Sequence, residues 1–428
     1  MDFGAGIGIT LLFLLLMIVG LPVFVAMGAS ALLGFLLVKD LDSALFGFPE
    51  TIWQSTHVYE LIAIPLFVLT GTVMQQSGAG RDLFEVVKAY AGRIPNATGV
   101  ATILACGVFS AICGSSIATA ATVGLVAIPL LRKDGYGEAR SGGFVAAGGT
   151  LGILIPPSIP MILYGILTDT SIGQLFIAGI VPGLLLMTCF CLLARFSRPA
   201  VRAPRQEAGD PGRSRLLRRA AGVLLLPPVI IGTIYAGFFT PTEVGALAVV
   251  YVTVLGLVQR RLDLPALWRA ATSGAKTSVM LMMLIVFGQC FAHFLTYEQV
   301  PQTIAAAILD VPGGPLVAVT LMILVYLGLG MFLESAAMLL ISIPIFMPVA
   351  VAVGMEPLVF GIFAVIAMEI AQISPPVGIN LFTIHGISGV SLGQLSKGVL
   401  PFIGLQVVLM YLIYFFPQIV LWLPAQMH

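Results

Sequence analysis

The sequence predicts an all-α polytopic membrane protein built from two inverted-topology repeats, each with about five spans and one re-entrant helical hairpin. Three observations predict this fold class. Hydrophobic residues make up 59% of the 428 residues and charged residues only 9%, whereas a soluble domain is about one quarter charged. Apolar stretches long enough to cross a bilayer recur from end to end. Finally, the two halves of the chain align with each other at an offset of 219 residues.

Proline residues mark the repeat most clearly. At this offset five prolines of the first half have a proline partner in the second, namely Pro22 with Pro241, Pro129 with Pro348, Pro156-Pro157 with Pro375-Pro376, and Pro182 with Pro401. Matching breaks in two hydrophobic halves are typical of secondary transporters, because a broken helix exposes backbone groups that can bind ions and substrate inside the membrane.

The apolar stretches divide into spans and hairpins. Spans are expected at about 4–20, 22–38, 60–77, 139–168, 172–196, 220–239, 241–258, 277–297, 357–386 and 391–420. Two further stretches, 97–131 and 315–350, each carry a small polar break near the middle, Cys113-Gly114-Ser115-Ser116 in the first and Phe332-Leu333-Glu334-Ser335 in the second. We interpret these two stretches as hairpins that enter and leave on the same side.

This division gives the domain organisation. Residues 1–196 form the first repeat, with scaffold spans within 4–58, an amphipathic arm at 80–93, and a hairpin and broken helix within 97–168. Residues 197–219 are a basic linker. Residues 220–428 form the second repeat, with scaffold spans within 220–258, an arm at 262–275, and a hairpin and broken helix within 315–386. An odd number of spans per repeat inverts the second copy.

The basic residues predict the orientation. If the N-terminus is outside, 19 of the 20 Lys and Arg residues lie on the cytoplasmic side, and only Lys39 lies outside. This agrees with the positive-inside rule. We therefore expect the linker to be cytoplasmic and both termini to be periplasmic. The first apolar stretch, 4–38, has no basic leader and no cleavage site, so it is interpreted as two retained spans.

The paired breaks are the best candidates for ion binding. The span 139–168 is too long for one crossing and contains Gly148 to Ser158 with the pair Pro156-Pro157. Two prolines remove two helix donors and free carbonyls one turn earlier. With hydroxyl groups at the hairpin tip, from Gly114 to Thr119, these carbonyls near Gly149–Ile155 could form a cage of hard oxygen ligands for Na⁺, while helix N-termini face a carboxylate. The structural alternatives to ion binding are that the prolines only kink packed helices and that the small residues only allow close helix packing.

Two acidic residues are placed deep in apolar segments. Glu334 lies in the second hairpin and aligns with Ser115, and Glu369 lies one turn before the second break. A charge at the centre of a span costs about 2.5–3.5 kcal/mol on translocon scales, so each is a functional candidate. For Glu369 a structural hydrogen bond is the alternative. The sequence has no nucleotide-binding motif, which argues against ATP hydrolysis by this chain.

Four motifs together resemble a known family. They are Gly149 to Met161, the capping box Thr240-Pro241-Thr242-Glu243, Gly330 to Glu334, and Ser374 to Phe382. They are similar to the large membrane subunit of tripartite ATP-independent periplasmic (TRAP) transporters of the DctM-like type, and the resemblance covers nearly the whole chain. Where this chain has Glu334, the family commonly has aspartate.

The resemblance implies an elevator-type Na⁺ symporter for an organic acid in a bacterial inner membrane. It also implies a periplasmic substrate-binding protein and a separate small four-helix membrane subunit as partners, no nucleotide cofactor and no enzymatic activity. Spans within 4–38 and 220–258 would form the static scaffold with the small subunit, and the two arms would lie at the membrane surface and brace the mobile part.

The resemblance also implies site residues. Na⁺ ligands would come from Ser115, Ser116, Thr119, Gly149 and Gly152 for one ion, and from Glu334, Ser335, Ser374, Pro375 and Gly378 for a second. The substrate would lie between them, near Pro156, Pro157, Ser158 and Asn380. The substrate itself stays open among four-carbon dicarboxylates, sialic or sugar acids and other carboxylates.

Two other functional classes are weighed against this one. A stand-alone ion-coupled carboxylate carrier would have the same hairpins and would differ by needing no binding protein. An intramembrane enzyme would need a catalytic dyad within the membrane, and the sequence places no His or Asp deep in a span.

Overall fold

A computed structural model describes residues 3–38, 41–91, 96–197, 213–331, 333–376 and 378–427. In these residues the regular structure is helical. Eight helices or broken helices are apolar and at least 18 residues long, enough to cross a bilayer, and the bent pair 46–56 and 59–76 would be a ninth. The all-α polytopic fold class is therefore confirmed. Most of the linker 197–219, the basic residue Lys39 and the hairpin residue Phe332 lie outside the described residues.

The helices of the first half are joined by short connections. They are α1 (Phe3–Ile18), α2 (Val23–Val38), α3 (Leu41–Thr56), α4 (Ala63–Gln76), α5 (Ala79–Ala91), α6 (Ala97–Cys113), α7 (Ser116–Lys133), α8 (Gly137–Leu154), α9 (Ile159–Thr168) and α10 (Ile172–Phe196), with a short 3-10 helix at Tyr59–Ile62.

The second half has a similar order of helices. They are α11 (Arg213–Tyr235), α12 (Pro241–Val258), α13 (Leu264–Tyr297), α14 (Val300–Leu309), α15 (Pro315–Gly330), α16 (Ser335–Ala352), α17 (Pro357–Ile373), α18 (Ile379–Ser388), α19 (Leu392–Phe415) and α20 (Gln418–Leu421), followed by a 3-10 helix at Pro424–Gln426. The order differs in that the one long helix α13 stands where the first half has α3 and α4.

Helices of the two halves correspond at the sequence offset. The second helices of the two hairpins, α7 and α16, both have 18 residues. Their first residues are 219 positions apart, and so are their last residues. The helix pairs α8 and α9 before and after the first break match α17 and α18 around the second. Each break contains a cis peptide, Pro156-Pro157 in the first and Pro375-Pro376 in the second.

The packing between the halves is reciprocal. Helix α2 packs on α13, as its counterpart α12 packs on α4, and α7 packs on α18, as α16 packs on α9. Single residues follow the same rule. A Cβ built on Gly142 would lie 2.1 Å from Leu395, and one built on the counterpart Gly361 would lie 2.9 Å from Leu175. These reciprocal contacts support the internal repeat, whereas the inverted orientation of the second copy stays a prediction.

The contacts separate two groups of helices. The scaffold group consists of α1–α4 and α11–α13, where α4 and α13 pack on each other and on α12 and α2 respectively. The core group consists of α6–α10 and α15–α19, arranged around α8 and α17. Helix α4 contacts α6, α7 and α9, and α13 contacts α16. The two groups therefore meet along α4 and α13 near the hairpin tips, and also where α11 contacts α6 and α10.

The second arm differs from the prediction. Residues 262–275 were expected as a surface arm separate from the span 277–297, but α13 runs without a break from Leu264 to Tyr297. Asp263 caps its start by accepting a hydrogen bond from the Ala266 backbone N–H, and no proline interrupts it after Pro265. Its 34 residues would extend about 51 Å at 1.5 Å per residue, more than the roughly 30 Å hydrocarbon layer. In the first half the corresponding helices α3 and α4 are bent by 62°.

Candidate functional site

The first hairpin tip lies where the sequence predicts it. Helix α6 ends at Cys113, Gly114 adopts a positive φ of 58°, and α7 begins at Ser116. A Cβ on Gly114 would lie 2.7 Å from the carbonyl oxygen of Pro157, so glycine lets the tip touch the first break. Ser115 caps α7 by accepting a hydrogen bond from the Ala118 backbone N–H. Thr119 donates to the Ser115 carbonyl at 2.8 Å, so its hydroxyl lies inside the hairpin.

The first helix break lies later than expected. Gly149 and Gly152 were placed in an unwound segment, but α8 continues to Leu154 and the non-helical part is 155–158. Both glycines instead allow close packing, because a Cβ on Gly149 would lie 3.2 Å from the Ser116 carbonyl oxygen and one on Gly152 would lie 3.0 Å from the Ser110 hydroxyl. Since Pro156 has no N–H, it cannot donate to the Gly152 carbonyl, which stays a candidate ligand.

The second hairpin and break form a matching site. Helix α16 begins at Ser335, and α17 ends at Ile373 just before Ser374. Gln372 donates a hydrogen bond from its side-chain amide to the Ser335 hydroxyl. Around Gly378 two carbonyl oxygens converge, because a built Cβ would lie 2.9 Å from that of Gln372 and 3.1 Å from that of Ser374. The structure thus adds Gln372 to the predicted set.

One side-chain contact joins the two halves. Asn380, in the first turn of α18, donates to the Ser116 hydroxyl at the tip of the first hairpin, and both residues are buried. The carbonyl oxygen of the Asn380 side chain has no partner among the described residues. Ser158 is also buried, where it caps α9 by accepting from the Met161 backbone N–H. The breaks and tips therefore form one connected cluster.

A cavity of about 370 Å³ lies between this cluster and the scaffold group. Its core-group wall carries predicted site residues from both tips, together with apolar residues of α9, namely Cys113, Gly114, Ser115, Ser116, Glu334, Ser335, Gln372, Ile159, Pro160 and Leu163. Its scaffold wall comes from α4 and α13, namely Val68, Gly71, Thr72, Gln75, Ser273, Thr277, Met280 and Leu281. Pro156, Pro157, Ser158 and Asn380, predicted to contact substrate, do not line it.

The cavity has little charge. Glu334 is the one ionisable acid among its lining residues, and the described lining holds no Lys, Arg or His. Its other polar groups are hydroxyls and amides. The N-termini of α7 and α16 begin at its edge, at Ser116 and Ser335. Helix N-termini carry partial positive charge and unpaired N–H donors, which suit an anion such as a carboxylate.

Glu369 lies apart from the cavity. Its side chain is fully buried in α17, where one carboxylate oxygen accepts from the Gln406 amide at 3.1 Å. The same amide group donates to the Thr150 hydroxyl at 3.2 Å. Glu369 thus cross-links α17, α19 and α8. Its second oxygen has no hydrogen-bond partner in the described part of the chain.

Known proteins resemble this chain over most of its length. A family model described as "Tripartite ATP-independent periplasmic transporter, DctM component" matches residues 10–419. The C4-dicarboxylate TRAP transporter large permease protein DctM of Pseudomonas aeruginosa is 40% identical over 379 residues, covering 87% of this chain and 88% of that protein. The sialic acid TRAP transporter large permease protein SiaM of Vibrio cholerae is 34% identical, covering 86% of each chain. The crystal structure of the Alcanivorax borkumensis YdaH transporter shares the fold, with a TM-score of 0.62, 18% identity, and 95% and 98% of the two chains covered.

Proposed function

Since the chain belongs to the DctM component family of tripartite ATP-independent periplasmic transporters, we propose that it performs Na⁺-coupled secondary uptake of an organic acid across the bacterial inner membrane. A periplasmic binding protein delivers the acid, and a small four-helix membrane subunit completes the membrane part. The observation that supports this best is the meeting of both hairpin tips with the cavity. Relatives named for C4-dicarboxylates and sialic acid support an acid as cargo.

Oxygen atoms at the two hairpin tips and the two helix breaks suit Na⁺ as ligands. In the first half they are the hydroxyls of Ser115, Ser116 and Thr119 and the carbonyl of Gly152, which has no helical donor. In the second half they are the hydroxyls of Ser335 and Ser374 and the carbonyls of Gln372 and Ser374 near Gly378. Backbone carbonyls at unwound helices are the usual ligands for coupling ions in transporters with broken helices. We propose one Na⁺ at each tip, with the acid in the cavity between them.

The charge of the cargo is balanced without a basic side chain. Among the described lining residues none is cationic, and Glu334 adds negative charge when ionised. A carboxylate would therefore depend on the N-termini of α7 and α16 and on the bound Na⁺ for stabilisation. This dependence couples the two solutes, because each ion makes the site more favourable for the acid, and the acid in turn makes it more favourable for the ion.

Uptake into vesicles tests the proposal. Vesicles would hold this chain and its small subunit, with the cognate binding protein and labelled cargo outside. We expect uptake only with an inward Na⁺ gradient and only with the binding protein, and no dependence on ATP. Uptake without Na⁺ would contradict the coupling. Uptake at full rate with this chain alone would instead favour the stand-alone carrier.

The way the two groups meet supports the elevator mechanism that we propose. The core group carries both tips, whereas α4 and α13 belong to the scaffold group. Gln75 is exposed and lies next to the last residue of α4, at the end that the basic residues predict to be cytoplasmic. The cavity would thus open inward, and the core group would have to slide along α4 and α13 to face the other side.

A reversible cross-link tests this movement. A Cβ on Gly71 would lie 3.1 Å from the Cβ of Cys113 at the first tip, and disulfides join Cβ atoms about 3.5–4.5 Å apart, so a small shift would allow a bond. In a variant that keeps only Cys113 and adds Gly71→Cys, oxidation should stop uptake and a reductant should restore it. Gly71→Ser in the same background is the control. Undiminished uptake by fully cross-linked protein would contradict the elevator.

A further inference from the structure

The scaffold wall of the cavity carries polar groups that no predicted site includes. Thr72 and Gln75 are three residues apart on α4, and Ser273 and Thr277 are four residues apart on α13, so each pair shares one helix face. All four line the cavity opposite Glu334 and Ser335. The other residues that α4 and α13 contribute to this wall are apolar, namely Val68, Gly71, Met280 and Leu281.

Helices α4 and α13 pack closely at this wall. A Cβ on Gly274 would lie 3.1 Å from the Thr72 hydroxyl, so the glycine next to Ser273 brings the two helices together at the wall. Thr72 donates to the Leu69 carbonyl at 3.0 Å and keeps its oxygen lone pairs available. The side chains of Gln75, Ser273 and Thr277 form no hydrogen bond with another described residue. Their donors and acceptors are therefore free for a ligand.

The two walls differ in chemistry. The core-group wall has helix N-termini and one carboxyl group, which suit a carboxylate with its ion. The scaffold wall has neutral hydroxyls and an amide in mid-helix, which can both donate and accept hydrogen bonds. Neutral groups of this kind can form hydrogen bonds with hydroxyl groups. They stabilise a second full charge on the cargo less than a cationic side chain would.

We propose that Thr72, Gln75, Ser273 and Thr277 form a second substrate subsite that recognises hydroxyl groups, so that the cargo is a hydroxylated organic acid. Its carboxylate faces the hairpin tips and its hydroxyl-bearing part faces the scaffold wall. The inference rests on the proposed function, because it assumes that the cavity holds the acid. A site that hydrogen-bonds a substrate hydroxyl discriminates strongly against the analogue that lacks it, since its own polar groups are then left unpaired.

Matched ligand pairs test the subsite. The complex of this chain with its small subunit, purified in detergent with saturating Na⁺, would be titrated with L-malate and succinate, which differ by one hydroxyl, and with D-gluconate and hexanoate. Thermal unfolding reports binding. In at least one pair we expect the hydroxylated acid to bind roughly fivefold or more tightly, the effect of one neutral hydrogen bond.

Variants of α13 provide the control. Ser273→Ala and Thr277→Val should each remove roughly fivefold of the preference for the hydroxylated acid and leave the stabilisation by Na⁺ alone unchanged. Thr272→Val changes the neighbouring residue, which does not line the cavity and whose hydroxyl donates to the Trp268 carbonyl of its own helix. This control should keep the full preference.

The outcomes separate this inference from the proposed function. Equal binding within both pairs, or binding of neither hydroxylated acid by protein that still responds to Na⁺, would overturn the subsite and leave Na⁺-coupled uptake standing. An unchanged preference in both Ser273→Ala and Thr277→Val would overturn it as well. Absence of any Na⁺ response in wild-type protein would instead contradict the proposed function.

Discussion

Glu369 is a buried acid whose hydrogen bond with Gln406 helps to join three helices of the core group. The sequence shows an acid in an apolar span and leaves a site role and a structural role open. The structure places Glu369 away from the cavity and gives it a hydrogen bond from Gln406, whose amide also reaches Thr150. These three residues tie together α17, α19 and α8, the centre of the core group. We therefore propose a structural role for Glu369.

Substitutions at Glu369 should separate the effect of its hydrogen bond from the effect of its charge. Glu369→Gln keeps an oxygen that can accept from Gln406, so the melting temperature and uptake should stay close to wild type. Glu369→Leu leaves the buried amide of Gln406 with one partner fewer, which should lower stability by about 1–3 kcal/mol. Thermal unfolding of the purified protein and vesicle uptake measure both. If Glu369→Gln abolishes uptake at normal stability, the charge itself is functional.

At the same scale, the sequence identified one wall of the cavity and missed the other. Ser115, Ser116, Glu334 and Ser335, which the resemblance implies as Na⁺ ligands, line it, and their binding of Na⁺ stays a prediction. The scaffold residues were missed because single hydroxyls in a helix carry no pattern. Ser273 was even expected to lie in a surface arm. Gly149 and Gly152 were misplaced because glycine in a membrane helix signals either a break or close packing. Here Gly149 packs against α7 and Gly152 packs against α6.

Local backbone chemistry explains why several elements were predictable. The Pro-Pro breaks and hairpin turns have local causes, since proline lacks a donor and Gly114 takes a positive φ. The continuity of α13 has no such local mark, and from the sequence it was predicted to divide into an arm at 262–275 and a span at 277–297. The bend between α3 and α4, in the corresponding place of the first half, was likewise not visible.

The contact of α8 with α19 depends on glycine. A Cβ on Gly398 would lie 1.9 Å from the Ala139 carbonyl oxygen, and its neighbour across the interface is Gly143. Gly398→Ala should force the helices apart and cost about 1–3 kcal/mol, as overpacking usually does. The expected sign is a lower melting temperature.

Gly404→Ala on the same helix is the matched control, because no atom lies within 4 Å of its built Cβ. Alanine favours helix over glycine, so this variant should be neutral or slightly more stable. Equal melting temperatures for the two variants would show that the α8–α19 contact is looser than described.

On the scale of the whole molecule, the basic residues and the contacts agree on which segments share a side. Arg261 pairs with Asp82, and Arg132 pairs with Glu138 at 2.5 Å and donates to the Ser388 carbonyl at 2.9 Å. All five lie on the side that the positive-inside rule makes cytoplasmic. The orientation of the termini stays a prediction.

Cysteine labelling on intact cells tests that orientation. In a background without native cysteines, Gln426→Cys should react with an impermeant maleimide, because we expect the C-terminus to be periplasmic. Ser214→Cys, at the start of α11, should react only after the membrane is opened. Reaction of Ser214→Cys from outside would reverse the topology.

We propose that the two hairpin tips, related by the repeat, each bind a coupling ion. Ser116 in the first half and Ser374 in the second half would each supply one hydroxyl ligand. Loss of one neutral oxygen ligand should cost about 1 kcal/mol, or roughly fivefold in Na⁺ affinity. If the two sites act independently, the double variant should be affected roughly 25-fold.

The Na⁺ dependence of vesicle uptake tests this claim most directly. Ser116→Ala and Ser374→Ala should each raise the Na⁺ concentration for half-maximal uptake roughly fivefold with normal membrane expression, whereas Ser214→Ala and Thr272→Val should match wild type. If both site variants keep the wild-type Na⁺ dependence, the paired breaks are structural kinks and the ions bind elsewhere.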